Sequence, residues 1–332
     1  MKKRGRGIAC TYFGMGNTAK PNPSTAYVEI EGGSAIVRCD VADIGQGSST
    51  ALAQIAAEVL GISLERVTLV CGDTMAAPEA GISSASRQTY VSGNAIRLAA
   101  EQAKKVLLQE AALGLEVDPR DLEAREDRIF VVGSPERYIS TEEVCSRLWS
   151  RGNLISGTGS YDPPTTEGLD PESGQGTAFG AYSYCTQIAE VEVDTETGEV
   201  TVLSVYAAHD VGKAINPMAV EGQIEGGVSQ GIGYALMEEI IVEDGSIQNR
   251  SFSDFLVPTS MDIPSITSII VEEPEPTGPF GAKGTGEPPC CPTAAAIINA
   301  VYDAIGVNIT SLPVTAEKVY MALKQKQEKK EE

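Results

Sequence analysis

The chain has 332 residues, enough for two compact domains or one large one with a substantial core. Its 46 acidic residues against 25 Lys plus Arg give a net charge of −21, a field that repels phosphate backbones and argues against nonspecific nucleic-acid binding. No stretch approaches ~18 uninterrupted apolar residues, so no membrane helix is predicted, and the basic Met1-Lys2-Lys3-Arg4 runs into Gly5-Arg6-Gly7 instead of the apolar middle of a secretory signal, which favours the cytoplasm.

Apolar alternation in Ala26 to Glu31 and Ala35 to Arg38, across Gly32-Gly33, predicts a β-hairpin. The loop Asp43-Ile44-Gly45-Gln46-Gly47-Ser48 follows, and residues 49–60 show helical periodicity stopped by Gly61. A short strand is predicted over 67–70, and a second loop, Glu79 to Ser86, feeds a long helix over about 89–113. A polar segment leads through Val132 to a helix near 141–150. Residues 152–180, rich in Gly, Pro, Ser, Thr and Asp, read as a boundary or exposed crossover. They divide the chain into two subdomains, 1–175 and 176–332.

Beyond the boundary, 184–193 and 199–208 form a second hairpin around Asp194 to Gly198. Asn216-Pro217 opens a helix over 219–239 that contains Gly222, Gly226, Gly227, Gly231 and Gly233. Each glycine costs about 1 kcal/mol relative to Ala in a solvated helix, so close backbone packing or a break must compensate. Strands continue to about Val271, and helices are predicted over 292–305 and 315–324, with a Lys- and Glu-rich tail that frays after Gln325. Hairpins with long helices laid between them indicate an α+β fold and not a regular βαβ array.

The seven cysteines are odd in number and contain no CxxC, which argues against a disulfide framework and against a Cys-ligated zinc or iron–sulfur site. Cys290-Cys291 stands at a helix start, where a thiol pKa can fall, although core packing is the expected role. His209, the only histidine, reads as structural, and Asp73 and Asp210 read as turn caps.

Three loops share one design. Gly45-Gln46-Gly47-Ser48, Ser83-Ser84-Ala85-Ser86 and Gly281 to Pro289 each precede a helix, where unpaired N–H groups attract anions. Converging, they suit a large phosphorylated cofactor; singly, each also reads as an ordinary cap. There is neither a GxGxxG opening a βαβ unit nor a GxxxxGK[ST]. In the third loop Gly284 and Gly286 let the backbone lie against a ligand, and Pro288-Pro289 stiffens the chain after Glu287. The loop holds one carboxylate rigidly, either for chemistry or as a surface turn.

Taken with Lys2 to Gly5, Thr74 to Ser86, Asp210 to Pro217, Glu221 to Gly226 and Gln230-Gly231, these loops span nearly the whole chain. In that order the chain resembles the C-terminal part of the molybdopterin-binding subunit of the xanthine dehydrogenase/aldehyde oxidase molybdenum hydroxylases. Its size is most similar to the medium molybdopterin subunit of the split nicotinate dehydrogenase type. The resemblance implies that family's α+β fold, with mixed sheets and long packed helices. It makes Glu287 the general base for water-derived hydroxylation of an electron-poor carbon in an N-heteroaromatic or aldehyde substrate. Gly45, Gln46, Gly47, Ser84, Ala85, Ser86, Gln230 and Gly284 would lie near the cofactor.

The resemblance implies molybdopterin as that cofactor, expected in its cytosine dinucleotide form, with a dithiolene that would hold molybdenum without a protein ligand. The resemblance also implies a large molybdopterin subunit that completes the active site, and iron–sulfur and FAD subunits that carry electrons away. A noncatalytic cofactor-shell subunit and a reductive or CO-oxidising relative are the alternatives.

Overall fold

The computed structural model describes residues 1–17, 20–164 and 167–331. In chain order the strands are β1 (Lys2–Gly14), β2 (Ser24–Glu31), β3 (Ser34–Arg38), β4 (Val67–Val70), β5 (Leu122–Arg125), β6 (Arg128–Val131), β7 (Ser134–Ser140), β8 (Ile155–Tyr161), β9 (Tyr182–Asp194), β10 (Val200–Asp210), β11 (Val242–Glu243), β12 (Ser246–Ile247) and β13 (Ser265–Val271). The helices are α1 (Ser48–Leu60), α2 (Gly93–Leu115), α3 (Thr141–Trp149), α4 (Pro217–Leu236), α5 (Thr293–Ile305) and α6 (Ala316–Glu331). No helix among the described residues is long and apolar enough to cross a membrane.

Two four-stranded sheets organise these elements, in the orders β8-β2-β3-β4 and β1-β9-β10-β13. Each is built the same way. A hairpin (β2/β3 or β9/β10) is antiparallel, a helix (α1 or α4) leads to a strand parallel to the hairpin's second member, and a further strand pairs antiparallel with its first. A second helix, α2 or α5, then lies against the sheet. The cores are separate: Val28, Val37, Leu52, Ile96 and Leu107 belong to one cluster, Val191, Val205, Ile224, Ile297 and Val301 to the other. The expected division at 175/176 falls between β8 and β9, yet β1 crosses it to join the second sheet.

The packing of α2 and α5 depends on absent side chains. Gly157 and Gly159 on β8 lie under the Ala99 and Ala95 carbonyls of α2, and Gly5 and Gly7 on β1 lie under the Ala300 and Ala296 carbonyls of α5. A Cβ at any of these glycines would overlap helix backbone. Residues two apart share a sheet face and residues four apart share a helix face, so each Gly-x-Gly meets an Ala-x-x-x-Ala row. Glycine lowers strand propensity, which is why neither β1 nor β8 shows in the local pattern.

Three further departures have local causes. The polar stretch before residue 141 contains the three-stranded sheet β5-β6-β7; only Leu122, Ala124, Ile129, Val131 and Ile139 of it are buried apolar, a weak signal. Helix α6 continues past Gln325 to Glu331, because Lys326 Nζ donates to the Ile305 and Gly306 carbonyls at 2.8 and 3.0 Å and ties it to the end of α5. Within α4, Gly227, Gly231 and Gly233 meet Pro289, Thr293 and Glu238 closely, as the packing argument required, whereas Gly222 and Gly226 face open space.

Candidate active site and cofactor cavity

The loops after each hairpin and after each parallel strand converge between the lobes. Gln46–Ser48 and Ser86–Thr89 from the first lobe face Lys213–Asn216 and Ala282–Glu287 from the second across a cavity of about 330 Å³. Because the two lobes repeat one topology, these are equivalent loops meeting from opposite sides.

Glu287 sits exposed at the rim. The Ala85 N–H donates to its Oε1 at 2.9 Å, the Ser86 hydroxyl donates to its Oε2, and the Glu287 N–H donates to Ser86 Oγ at 3.0 Å. Ala85 and Ser86 hold φ of 52° and 50°, a left-handed conformation that costs roughly 1–2 kcal/mol per residue. That conformation turns the Ala85 amide and Ser86 hydroxyl toward the second lobe. Gly284 makes the approach possible, since a Cβ there would overlap the Ser86 carbonyl.

Buried polar groups fasten both loops. Arg87 donates to the carbonyls of Ala80 (2.6 Å), Ile82 (3.1 Å), Asn22 (2.9 Å) and Pro23 (2.8 Å). On the other side Lys283 Nζ donates to Asp210 Oδ2 at 2.5 Å, and Asp210 Oδ1 also accepts the Gly212 N–H at 3.0 Å. Asp210 is therefore a turn cap, as read from the sequence, and half of a buried ion pair besides. Behind Glu287, Gln187 Nε2 donates to the Pro289 carbonyl at 2.7 Å and lies 3.2 Å from His209 Nε2, while Thr293 Oγ1 donates to Gln187 Oε1 at 2.7 Å. The carboxamide donor makes His209 Nε2 an acceptor, so the ring proton belongs on Nδ1, which is buried without a partner among the described residues. Burial lowers the His209 pKa to about 4 and keeps the ring neutral.

The loop at Gly45-Gln46-Gly47 departs from the expected anion site. Asp43 takes the amides of Gly45 (3.0 Å), Gly47 (3.3 Å) and Ser49 (2.9 Å). Its burial raises the carboxyl pKa, but the bonds from Ser49, Gly45 and Gly47 outweigh this and hold it below the ordinary value. The helix start thus already has its anion, supplied six residues before Ser49. Gly45 does not line the cavity; Gln46 does, with Nε2 at 2.9 Å from Ser48 Oγ and from Gln88 Oε1 and at 3.0 Å from the Ala42 carbonyl. Ser84 and Ser86 line it too, whereas Ala85 reaches Glu287 from behind.

Gln230 lies outside the cavity, exposed on α4, where its Nε2 donates to the Tyr234 hydroxyl at 3.0 Å. The cavity instead takes Asn216, Ala219, Val220 and Gln223 from α4. That i, i+3, i+4, i+7 spacing marks one helix face and is readable from the sequence. Gln230 continues the same stripe about 10 Å further along the axis, beyond the cavity. Thr285 Oγ1 is buried at the cavity wall with no hydrogen-bond partner among the described residues. The thiols beside Glu287 are shifted upward: burial raises Cys290 to about 11, and burial followed by the Glu287 charge raises Cys291.

Residues 1–264 match the family model described as molybdopterin cofactor-binding domain. The chain is 32% identical over 325 residues to the putative xanthine dehydrogenase molybdenum-binding subunit XdhA of Escherichia coli, covering 96% of this chain and 42% of that protein. It is 35% identical over 301 residues to the 6-hydroxypseudooxynicotine dehydrogenase complex subunit gamma of Paenarthrobacter nicotinovorans, covering 89% and 37%. Among solved structures, quinoline 2-oxidoreductase from Pseudomonas putida superposes with a TM-score of 0.88 at 29% identity, over 98% of this chain and 42% of that one. The chain therefore spans about two-fifths of the length of these relatives. Family model, relatives and superposition agree that the chain belongs to the molybdopterin-binding family of the molybdenum hydroxylases.

Proposed function

We propose that this chain supplies the general base and one side of the cofactor cavity of a molybdenum hydroxylase. It acts with a larger molybdopterin-binding partner to place a water-derived hydroxyl on an electron-poor carbon of an N-heteroaromatic or aldehyde substrate. The observation that carries this reading is Glu287, clamped by Ala85 and Ser86 at the rim of the interlobe cavity. A general base must be close and aimed, and here its aim is set from both lobes. Relatives named for xanthine, nicotine and aldehyde chemistry support the substrate class. A relative named carbon monoxide dehydrogenase large chain, 32% identical, supports CO oxidation as the second reading.

The residues present fit the cofactor. A pterin is a flat heterocycle edged with donors and acceptors, and the cavity offers apolar walls at Ile44, Val211 and Ile215, carboxamides at Gln46, Gln88 and Gln223, and the orphaned Thr285 hydroxyl. Ser84 and Ser86, Gln46 and Gly47 would hold it from the first lobe, with Gly284 and Gln223 from the second. When bound, the molybdenum pterin supplies the two-electron oxidation. Glu287 Oε1, which keeps a lone pair beyond the Ala85 bond, is assigned the proton of the incoming water-derived oxygen. Gly45 and Ala85 act one step back, by setting loop shape and by holding the base. The cytosine dinucleotide form, iron–sulfur and FAD partner subunits, and a cytoplasmic location complete the proposal.

The test is Glu287→Gln, which keeps side-chain size and removes the proton acceptor. Assembly and molybdenum content should be retained while turnover falls by roughly 10²–10⁴-fold. Near-normal turnover in a fully metallated variant would sink the assignment.

A further inference from the structure

The repeated architecture contains its own control for surface composition. In the first lobe, the sheet face turned away from α2 carries Thr25, Glu29, Arg38, Thr158 and Ser160, with Tyr27 and Ile36 half-buried among them. Such a face is readily solvated. In the second lobe, the face turned away from α4 and α5 carries Ile8, Tyr12, Tyr184, Ile188, Tyr206 and Ile269, each at least 38% exposed. Ile8 pairs with Ile188 and Ile188 with Tyr206, while Tyr12 pairs with Tyr184 and Ile269 with Ala208, so one apolar surface crosses all four strands. An apolar patch this continuous marks an interaction site. The fold does not require it, since the first lobe has the same sheet without it.

We propose that this face docks the complementing molybdopterin-binding chain, a partner that rests on the function proposed above. Length supplies the first argument. In these relatives more than half the length lies beyond what this chain covers, a body larger than this chain and large enough to cover this face. Continuity supplies the second. Lys283 Nζ lies 5.9 Å from the Tyr184 ring centroid, and Lys283 opens the stretch that carries Gly284 and Glu287. A chain seated on Tyr184 therefore extends the surface that leads to the cavity wall.

The mode of docking follows from the edge and the rim. The outer edge of β1 is partly closed by α5, where Asp303 accepts the Arg6 N–H at 2.9 Å and Asn299 donates to the Ile8 carbonyl at 2.9 Å. Strand addition is hindered there, which leaves face-on packing. The basic side chains at the rim are already matched within the sheet, Lys2 and Arg4 with Glu192 and Arg6 with Glu190. Recognition is left to the aliphatic and phenolic groups, so the partner presents an apolar face with acceptors for the tyrosine hydroxyls.

Cys10, exposed and opposite Thr186 in the middle of this face, is a built-in probe. N-ethylmaleimide labelling, read by mass spectrometry, should be about tenfold slower at Cys10 in the assembled enzyme than in the separated chain. Ile188→Glu should cut recovery of the larger chain about tenfold or more, with the melting temperature of the separated chain unchanged, whereas Thr158→Glu on the first lobe should not. Equal labelling in both states, or full recovery with Ile188→Glu, overturns the docking face. So does a dimeric mass for the separated chain with Cys10 protected, because the occupant is then a second copy. Failure of the functional reading shows itself separately, as retained turnover in Glu287→Gln with Cys10 still protected.

Discussion

Each lobe fastens its cavity loop with one buried cation, and the two cations are held differently. Arg87 in the first lobe is surrounded by four carbonyl acceptors. Lys283 in the second is paired with Asp210. A guanidinium stays charged and its planar fork spreads donors over several acceptors, so peptide dipoles can hold it without a carboxylate. An ammonium is a compact charge, and here it takes a full counter-charge. The loop that presents donors to Glu287 thus depends on many partial charges, and the loop that carries Glu287 depends on one ion pair. The difference predicts where each lobe breaks.

The largest effect should come from Lys283→Met, which leaves Asp210 buried and unpaired and should cost about 3–5 kcal/mol in urea unfolding. Adding Asp210→Asn should recover most of that loss, because the uncompensated charge goes with it. No such rescue is available for Arg87→Met, which has no single acid to neutralise. Equal losses for Lys283→Met with and without Asp210→Asn would show that packing, not charge, is at stake.

Acid should weaken the second lobe through His209. The unfolded chain takes up a proton near the ordinary pKa of 6.5, and the folded one only near 4. Stability is therefore unaffected by this group above 6.5 and is lost as pH falls from 6.5 toward 4, by on the order of 3 kcal/mol in all. Comparing urea midpoints of wild type and His209→Gln across that window isolates the contribution; parallel profiles would remove it.

The shared device should respond alike in both lobes. Gly7→Ala and Gly157→Ala each press a Cβ into a helix carbonyl, and each should cost roughly 1–3 kcal/mol. A large inequality would mean that α2 and α5 differ in their freedom to shift. The smallest effect expected is at the helix starts. Asn216 caps α4 by accepting the Ala219 N–H at 3.1 Å, and Asn216→Ala should cost about 1 kcal/mol in thermal unfolding. The first-lobe counterpart, Gly47, offers no side-chain cap, and Asp43 supplies the acceptor instead.

The elements readable along the chain are those in which local pattern and tertiary role agree. The hairpins at 24–38 and 182–210, the strand at 67–70 and the helix stopped by Gly61 alternate or repeat as their buried faces require. Strands β1 and β8 conflict with their own propensity, because glycine is there for a helix that arrives from elsewhere in the chain. The site divides in the same way. Glu287, Gln46 and Ser86 stand in loops whose composition is unusual in itself. Gln223, Gln88 and Thr285 look ordinary in sequence and become cavity wall only when the lobes meet.

Composition, hydrophobic period and loop chemistry thus determined the α+β class, most helices and the stiff loop around Glu287, since each is a property of neighbouring residues. Tertiary structure alone decided that β1 belongs with the second sheet and that Asp43 occupies the amides of Gly45 and Gly47. It also decided that Ala85 and Ser86 grip a carboxylate about two hundred residues away. Contacts of that kind depend on which surfaces pack together, and a local pattern carries no record of the surface it will meet.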